Sequence, residues 1–348
     1  MRLALNLGYH AGRGSPAGHL RLAQEAERLG YDSVWVAEAY GSDAPTELAW
    51  LAAGTERIGL GSAVMQIPAR TPAMTAMTTA TVDLLSGGRF RLGLGVSGPQ
   101  VSEGWHGVAF DDPLARTREY VGLVRAALRR ERLTGAGPHY PLPLPDGPGK
   151  ALRLTLHPLR DRVPLYLGAV GPRNLELTGE IADGWLAAFF APEDAAPQLA
   201  RIAAGRARSG ADPAAFDIAP TVPVVVGDDV AACARLIRPY AALYLGGMGS
   251  RRQNFYQRAA GRMGFGDEAR EVQEHYLAGR RQEAAAAVPL ELLDRTALIG
   301  PPGRIADRLH AYAEAGVTTL VAALFSGAET GVRTLRHLAG ALEKAGLR

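Results

Sequence analysis

The sequence predicts an α/β fold of the (β/α)8 barrel type, a TIM barrel with insertions, forming a single domain over residues 1–348. Short apolar segments with high strand propensity alternate with helical patterns of roughly 10–15 residues, which is typical of βα units and a parallel sheet. Eight such units follow one another along the chain. A chain of 348 residues is long enough for one closed barrel of eight units.

The eight units are assigned in order, each as a strand followed by a helix. The first four are residues 3–7 with 16–29, 33–37 with 44–53, 58–65 with 71–85, and 89–96 with 114–130. The last four are residues 163–167 with 173–181, 184–188 with 193–207, 218–226 with 230–243, and 318–323 with 329–345. Helix punctuation supports these assignments, because Gly30 and Gly87 suit helix C-termini and Asp43 followed by Pro45 suits a helix start.

Two segments are longer than simple barrel loops. Residues 134–164 are rich in proline and glycine and show no clear period, which indicates a long surface loop. Residues 246–289 contain helical patterns at 255–263 and 268–287, which predict a helical insertion. Because segments that follow barrel strands lie at the catalytic face, long segments there are usually functional.

The charge and cysteine content exclude several classes of function. The 38 basic and 35 acidic side chains give a net charge of +3, and the arginines are spread along the chain, so no nucleic-acid partner is expected. Cys233 is the one cysteine, which excludes an internal disulfide and a multi-cysteine metal site. No histidine–acid pair has metal-ligand spacing, so no metal is expected. The apolar runs are too short for a membrane span or a secretory signal, so the sequence predicts a cytoplasmic protein without a membrane partner.

The pattern G-x-G-x-x-G occurs at residues 93–98, after the fourth strand. In a dinucleotide site this loop opens a helix whose N-terminus faces the pyrophosphate. Here Pro99 follows at once, and no helix is predicted before about residue 114. We therefore interpret the motif as a glycine-rich strand end at which the backbone passes close to a ligand.

Several segments occur in the order seen in one known superfamily. They are residues 30–38 (GYDSVWVAE), 58–64 (IGLGSAV), 87–98 (GGRFRLGLGVSG), 163–174 (VPLYLGAVGPRN) and 182–185 (ADGW). Together they resemble the luciferase-like monooxygenase superfamily of (β/α)8 barrels. They resemble in particular its branch of coenzyme F420-dependent oxidoreductases, which are related to methylenetetrahydromethanopterin reductase. The segment at residues 97–107 is similar to this deazaflavin branch rather than to the flavin monooxygenases.

The resemblance implies where the cofactor ring lies. In the family a non-prolyl cis peptide forms a bulge behind the flavin-like ring, and carried over it joins Ala63 to Val64. Ser97 and Gly98, at the end of the fourth strand, are implied to contact the cofactor as well.

The turn after the fifth strand is a candidate phosphate site. Gly168 and Gly171 bracket the turn, and Pro172 suits the first turn of a helix. The free N–H groups of Arg173 and Asn174 and the positive helix end can hold a phosphate, which both F420 and FMN carry. The alternative is a plain βα turn with a proline cap.

Three side chains are candidates for catalysis. Many family members have a histidine just beyond the second strand, whereas this chain has Glu38, Ala39 and Tyr40. Glu38 or Tyr40 could orient the ring or move a proton; alternatively, Glu38 caps the next helix or pairs with an arginine. His106, in the loop after the fourth strand, is a candidate acid, with a structural or solvated histidine as the alternative.

The sequence therefore predicts a hydride transfer between the deazaflavin ring of F420 and a small organic substrate, with reduction of a C=C or C=N bond favoured. The alternatives are an FMN-dependent monooxygenase of the same superfamily and a flavin- or deazaflavin-binding protein without turnover. Residues 246–256, which combine glycines, arginines and aromatics, could close over substrate or meet the acidic tail of F420, or form a solvated basic helix start. A homodimer is expected.

Overall fold

The structure, a computed structural model, describes residues 1–10, 15–251 and 254–347. Within these residues all paired strands belong to one parallel sheet. The strands are Arg2–Gly8 (β1), Ser33–Val36 (β2), Gly59–Ser62 (β3), Met65–Gln66 (β4), Phe90–Gly95 (β5), Leu165–Gly168 (β6), Gly184–Ala188 (β7), Asp217–Val226 (β8), Leu298–Gly300 (β9) and Thr319–Leu324 (β10).

The sheet closes into a barrel. Its order is β10–β1–β2–β3–β5–β6–β7–β8, and β8 pairs with β10 to complete the circle. The barrel strands correspond to the eight predicted units, so the (β/α)8 prediction is confirmed. The short strands β4 and β9 pair with the carboxyl-terminal ends of β5 and β8.

Helices follow the barrel strands, and further helices lie between β8 and β10. In the described residues they are Pro16–Arg28 (α1), Ala44–Ala53 (α2), Pro72–Leu85 (α3), Pro99–Gly104 (α4), Pro113–Leu128 (α5), Pro172–Ile181 (α6), Ala195–Ser209 (α7), Val230–Ala242 (α8), Phe255–Arg262 (α9), Gly266–Leu277 (α10), Arg281–Ala287 (α11), Leu290–Thr296 (α12), Pro302–Glu314 (α13) and Ala328–Lys344 (α14). None of the helices in the described ranges combines the length and apolar character needed to cross a bilayer.

Local signals explain where several helices begin and end. The Asp43 carboxylate accepts a hydrogen bond from the Thr46 N–H at 2.9 Å, as expected of an N-cap. Gly30 follows α1 with φ +78°, a left-handed conformation that glycine adopts without strain. The capping residues expected from the sequence are confirmed at both positions.

The insertion after α8 extends beyond its predicted boundary. The predicted helix at 268–287 is divided by Gly279, at φ +80°, into α10 and α11. The sequence analysis also missed β9 and α13. Both lie between the predicted insertion and the last predicted unit, a stretch to which no element was assigned. The insertion helices bury an apolar cluster that includes Val272 and Leu292. The same cluster contains Ile237 of α8 and Phe189 after β7, so the insertion packs against the barrel. The single-domain assignment stays a prediction.

Two aromatic rings pack against each other among the buried side chains of the barrel interior. Trp35 and Tyr166 meet edge to face with their centroids 5.0 Å apart. A Cβ at Gly61 would lie 2.3 Å from the Trp35 ring, and a Cβ at Gly184 would lie 2.3 Å from the Tyr166 ring. Glycine on β3 and on β7 therefore leaves the volume that these two rings occupy.

The amino-terminal end of the barrel is closed by polar contacts. Asp217 accepts hydrogen bonds from the Tyr166 hydroxyl at 2.9 Å and from the Thr319 hydroxyl at 2.9 Å. Burial would raise the pKa of Asp32, but the hydrogen bond and charge of Arg91 hold that pKa below its usual value. Arg2 lies 3.0 Å from the Asp217 carboxylate and 3.8 Å from that of Asp32. The contacts together form a network that we call the barrel floor.

Candidate active site

The chain bulges inward immediately after β3, at the carboxyl-terminal end of the barrel. The peptide bond between Ala63 and Val64 is cis, which confirms the geometry that the resemblance implied. The Ala63 N–H donates to the Val36 carbonyl at 2.7 Å. The Ser62 hydroxyl donates to the Gly93 carbonyl at 2.8 Å and accepts from the Gly93 N–H at 2.9 Å. The bulge is therefore held on both sides by neighbouring strands.

Glycines on the two following strands make room for this bulge. A Cβ at Gly93 would lie 1.9 Å from the Ser62 carbonyl oxygen. A Cβ at Gly95 would lie 2.5 Å from Cγ2 of Val64, and one at Gly168 would lie 3.3 Å from its Cγ1. The glycines of the fourth predicted strand thus allow the bulge after β3 to pack closely against β5. The sequence analysis predicted only that they let a ligand come close to the backbone. We call Ala63, Val64, Gly95 and Gly168 the ring cradle.

The segment after β5 differs from the prediction. A helix, α4, begins at Pro99 and runs to Gly104, whereas the sequence predicted no helix before about residue 114. Ser97 has φ +61°, and its hydroxyl donates to the Gln66 side chain at 2.8 Å. Gly98 directly precedes the helix. The six residues of α4 were missed because so short a helix shows little periodicity.

The turn after β6 has the predicted form. Pro172 is the first residue of α6, and the Leu175 N–H donates to the Gly171 carbonyl at 2.9 Å. The Oδ1 atom of Asn174 is buried without a hydrogen-bond partner among the described residues. Gly171 has φ −82°, and a Cβ there would meet nothing within 4 Å. No contact among the described residues requires glycine here, and the assignment of Gly171 to the cofactor phosphate stays a prediction.

An arginine of the insertion lies against this turn. The Arg262 guanidinium donates to the Val170 carbonyl at 3.1 Å. Its pKa is lowered by burial and by the positive charge of Arg258. A cation beside a helix N-terminus favours the binding of an anion there. Sequence reasoning missed Arg262, because 92 residues separate it from the residue it contacts.

The Glu38 carboxylate makes an ion pair and a hydrogen bond within the protein. One carboxylate oxygen lies 2.6 Å from Nη1 of Arg70, and the other accepts from the Ala44 N–H, at the start of α2, at 3.3 Å. These are the helix-capping and arginine-pairing contacts that the sequence analysis gave as the alternative. Tyr40, by contrast, is 52% exposed. It lies close enough to Tyr9 to affect it: the pKa of Tyr9 is raised mainly by burial and further by Tyr40.

His106 follows α4 on the same face of the barrel. Its Nε2 atom is buried and has no hydrogen-bond partner among the described residues. The nearby Glu103 carboxylate accepts from the Phe110 N–H at 3.0 Å and so stabilises the loop. Phe110 in turn approaches Phe255 of α9, with ring centroids 6.5 Å apart. The loop after α4 and the insertion thus meet beside the catalytic face.

The glycines at the start of the segment 246–256 pack against α10. A Cβ at Gly246 would lie 2.3 Å from Tyr276, and one at Gly247 would lie 2.4 Å from the same ring. These glycines therefore allow close packing against α10. Two residues of the predicted basic segment, Arg252 and Gln253, lie outside the described residues.

Comparison with known proteins places these features in one family. The luciferase-like monooxygenase family matches residues 3–319. The chain is 46% identical over 345 residues to a protein of Mycobacterium tuberculosis assigned to the coenzyme F420-dependent oxidoreductases, covering 97% of this chain and 99% of the relative. It is 32% identical over 259 residues to an F420-dependent glucose-6-phosphate dehydrogenase of Beutenbergia cavernae, covering 69% and 74%.

A solved structure shows the same fold. The F420-dependent tetrahydromethanopterin reductase of Methanopyrus kandleri superposes with a TM-score of 0.81 at 21% identity, covering 97% of each chain. The chain belongs to the luciferase-like monooxygenase family and, within it, to the coenzyme F420-dependent oxidoreductases.

Proposed function

We propose that this F420-dependent oxidoreductase transfers a hydride between the deazaflavin ring and a small organic substrate, with reduction of an activated C=C or C=N bond favoured. The observation that carries the proposal is the ring cradle, in which the cis bond of Ala63 and Val64 meets glycines of β5 and β6. The bulge gives a planar ring an apolar surface at the mouth of the barrel. Barrel enzymes place their active sites at this end.

The described residues fit the charged part of F420. The backbone N–H groups of Arg173 and Asn174 lie in the first turn of α6, where helical hydrogen-bond acceptors are missing. Arg262 adds a positive charge at the same turn. We therefore assign the phosphate of F420 to this turn, and the buried Asn174 side chain to a contact with the cofactor.

Reduction of a double bond requires a hydride at one atom and a proton at the other. When bound, reduced F420 supplies the hydride. We assign the proton to His106, whose buried Nε2 has no partner among the described residues, and Tyr40 is the second candidate donor. We do not assign the proton to Glu38, because its carboxylate is held by Arg70 and by the N-terminus of α2. Its role is to position these two elements beside the site.

The cofactor preference is tested by titrating the purified protein with F420, FMN and NADPH in a calorimeter. We expect F420 to bind more tightly than FMN. Submicromolar binding of FMN with no binding of F420 would contradict the assignment and favour the monooxygenase alternative. Binding of F420 without turnover of any substrate would favour the non-catalytic alternative.

The direction of transfer is tested with a substrate panel under anaerobic conditions. Reduced F420 is mixed with enones and imines, and oxidised F420 with alcohols, while the deazaflavin absorbance is followed. We expect faster oxidation of reduced F420 by the enones and imines. Since one relative carries the name of a glucose-6-phosphate dehydrogenase, that sugar phosphate belongs in the panel as the competing substrate.

A second copy of the chain is the partner we propose for α3. Its exposed side chains include Met74, Met77, Leu84 and Leu85, which recur at helical spacing on one face, and Trp50 of α2 is also exposed. Several exposed apolar side chains on one face of an outer helix are typical of an interface. Light scattering on the purified protein should give twice the mass of the chain, and Met77→Lys should shift it toward the monomer. A monomeric wild-type protein at micromolar concentration would contradict this.

A further inference from the structure

Three side chains with metal-ligating atoms meet beside the ends of β1 and β2. His10 follows β1, His19 lies in α1, and Glu47 lies in α2. The Oε1 atom of Glu47 is 2.5 Å from Nδ1 of His19 and 3.3 Å from Nε2 of His10. One ligand atom from each residue lies within 4.8 Å of the other two.

The cluster is largely withdrawn from water. The side chain of Glu47 is 6% exposed, and those of His10 and His19 are each 18% exposed. Burying a carboxylate is unfavourable unless cations or hydrogen-bond donors surround it. Here the two imidazoles stack with centroids 4.1 Å apart and converge on a single carboxylate oxygen, while the Ser42 hydroxyl donates to the other oxygen at 3.4 Å.

We propose that His10, His19 and Glu47 form a binding site for a divalent transition metal of the zinc class. Two imidazole nitrogens and one carboxylate oxygen are a donor set that such ions prefer. Three protein ligands would leave a tetrahedral ion one position for water. The sequence analysis expected no metal, because the three residues are 9 and 28 positions apart and show no ligand motif.

The site shares no residue with the ring cradle or with the turn at Gly171–Asn174. Its effect is to fix the chain after β1. The His10 N–H already donates to Ser42 at 2.9 Å. The adjacent Tyr9 ring packs so closely on Gly41 that a Cβ there would lie 2.4 Å away. A bound ion would hold this pair of loops together, and with them Tyr9.

Metal binding is tested on the full-length, tag-free protein after chelation and desalting. Zn²⁺ is titrated by calorimetry, and Co²⁺ is titrated by visible absorption, whose d–d bands report tetrahedral nitrogen and oxygen ligands. We expect one equivalent to bind saturably and to raise Tm. His19→Ala and the nearly isosteric Glu47→Gln should each weaken binding at least about tenfold, because each removes a ligand.

The matched control is His275→Ala. His275 lies 3.3 Å from Glu283 and 3.7 Å from Glu271, but both glutamates are well exposed. This variant should bind Zn²⁺ as the wild type does. The proposal is overturned if the wild type takes up no Zn²⁺ saturably, if Glu47→Gln and His19→Ala bind as tightly as wild type, or if only His275→Ala loses binding. Circular dichroism of each variant separates loss of the site from loss of the fold.

Discussion

The two ends of the barrel differ in whether their buried polar groups find partners within the protein. At the barrel floor, polar groups pair within the protein. Asp217 accepts hydrogen bonds from the hydroxyls of Tyr166 and Thr319, and its carboxylate lies beside Arg2. At the opposite end, the Nε2 atom of His106 and the Oδ1 atom of Asn174 are buried without partners in the described part of the chain.

The difference separates stability from binding. Unsatisfied buried polar atoms are rare in folded proteins because each costs free energy. Eight such side-chain atoms occur in the described residues, and those of His106 and Asn174 lie in the segments that follow β5 and β6, where we propose that a ligand completes their contacts. Floor substitutions should change the free energy of unfolding and spare cofactor affinity. Substitutions at the carboxyl-terminal end should change cofactor affinity or turnover and leave the free energy of unfolding nearly unchanged.

The largest effect is expected at the floor. Asp217→Ala leaves the buried Tyr166 and Thr319 hydroxyls without their acceptor, and should lower the free energy of unfolding by about 3 kcal/mol. Urea unfolding measures this change. The exposed Asp307→Ala on α13 serves as the control and should be near neutral. Unchanged stability in Asp217→Ala, or a lost F420 affinity in the variant while it is still folded, would break the comparison.

The second effect concerns the rate. His106→Asn should slow turnover at saturating cofactor by about 100-fold if His106 is the proton donor, with the dissociation constant of F420 largely unchanged. Stopped-flow absorbance of the deazaflavin measures both quantities. His139→Asn, in the long loop at residues 134–164, provides the matched control. Normal turnover of His106→Asn would transfer the assignment to Tyr40.

The third effect concerns affinity. Arg262→Ala removes a cation from the phosphate turn and should weaken F420 binding by about tenfold, or about 1.4 kcal/mol. The temperature of unfolding should stay near that of the wild type. Arg270→Ala on α10, whose ion pair with Asp267 is exposed, should leave both properties unchanged. Equal F420 affinity in the wild type and Arg262→Ala would place the phosphate elsewhere.

The smallest effect on stability, and the sharpest test of ligand approach, is at Gly171. A methyl group there meets no protein atom and the backbone needs no glycine, so Gly171→Ala should change the free energy of unfolding by less than about 0.5 kcal/mol. Calorimetry should still show weaker F420 binding. If affinity is also unchanged, the cofactor does not approach this residue.

The fold was accessible from the sequence because each barrel unit carries its own local signal. Periodicity located the strands and helices, and residues such as Asp43 and Pro172 marked helix starts that the structure confirms. The cis bond at Ala63 came from the resemblance rather than from periodicity. Short elements such as α4 and β9 carry too few residues for a pattern to emerge.

The missing parts of the site share a physical reason. Arg262 reaches its turn from an insertion helix, and His10, His19 and Glu47 converge from three elements. Such contacts depend on how the closed barrel arranges its loops, which no local sequence pattern encodes. The space around Gly171 is likewise a property of the packed structure, and the sequence alone could not show that no protein atom lies near it.

The fit of Trp35 against Gly61 has a consequence for how this barrel can change over generations. Because a single added methyl group at position 61 of β3 would overlap the indole ring, this position cannot enlarge while Trp35 is present. Across relatives, a side chain at position 61 should accompany a smaller residue at position 35, so the two columns of an alignment should covary. Directed-evolution libraries for this barrel should therefore vary both codons together, since libraries of single substitutions at position 61 will be enriched only in the parental glycine.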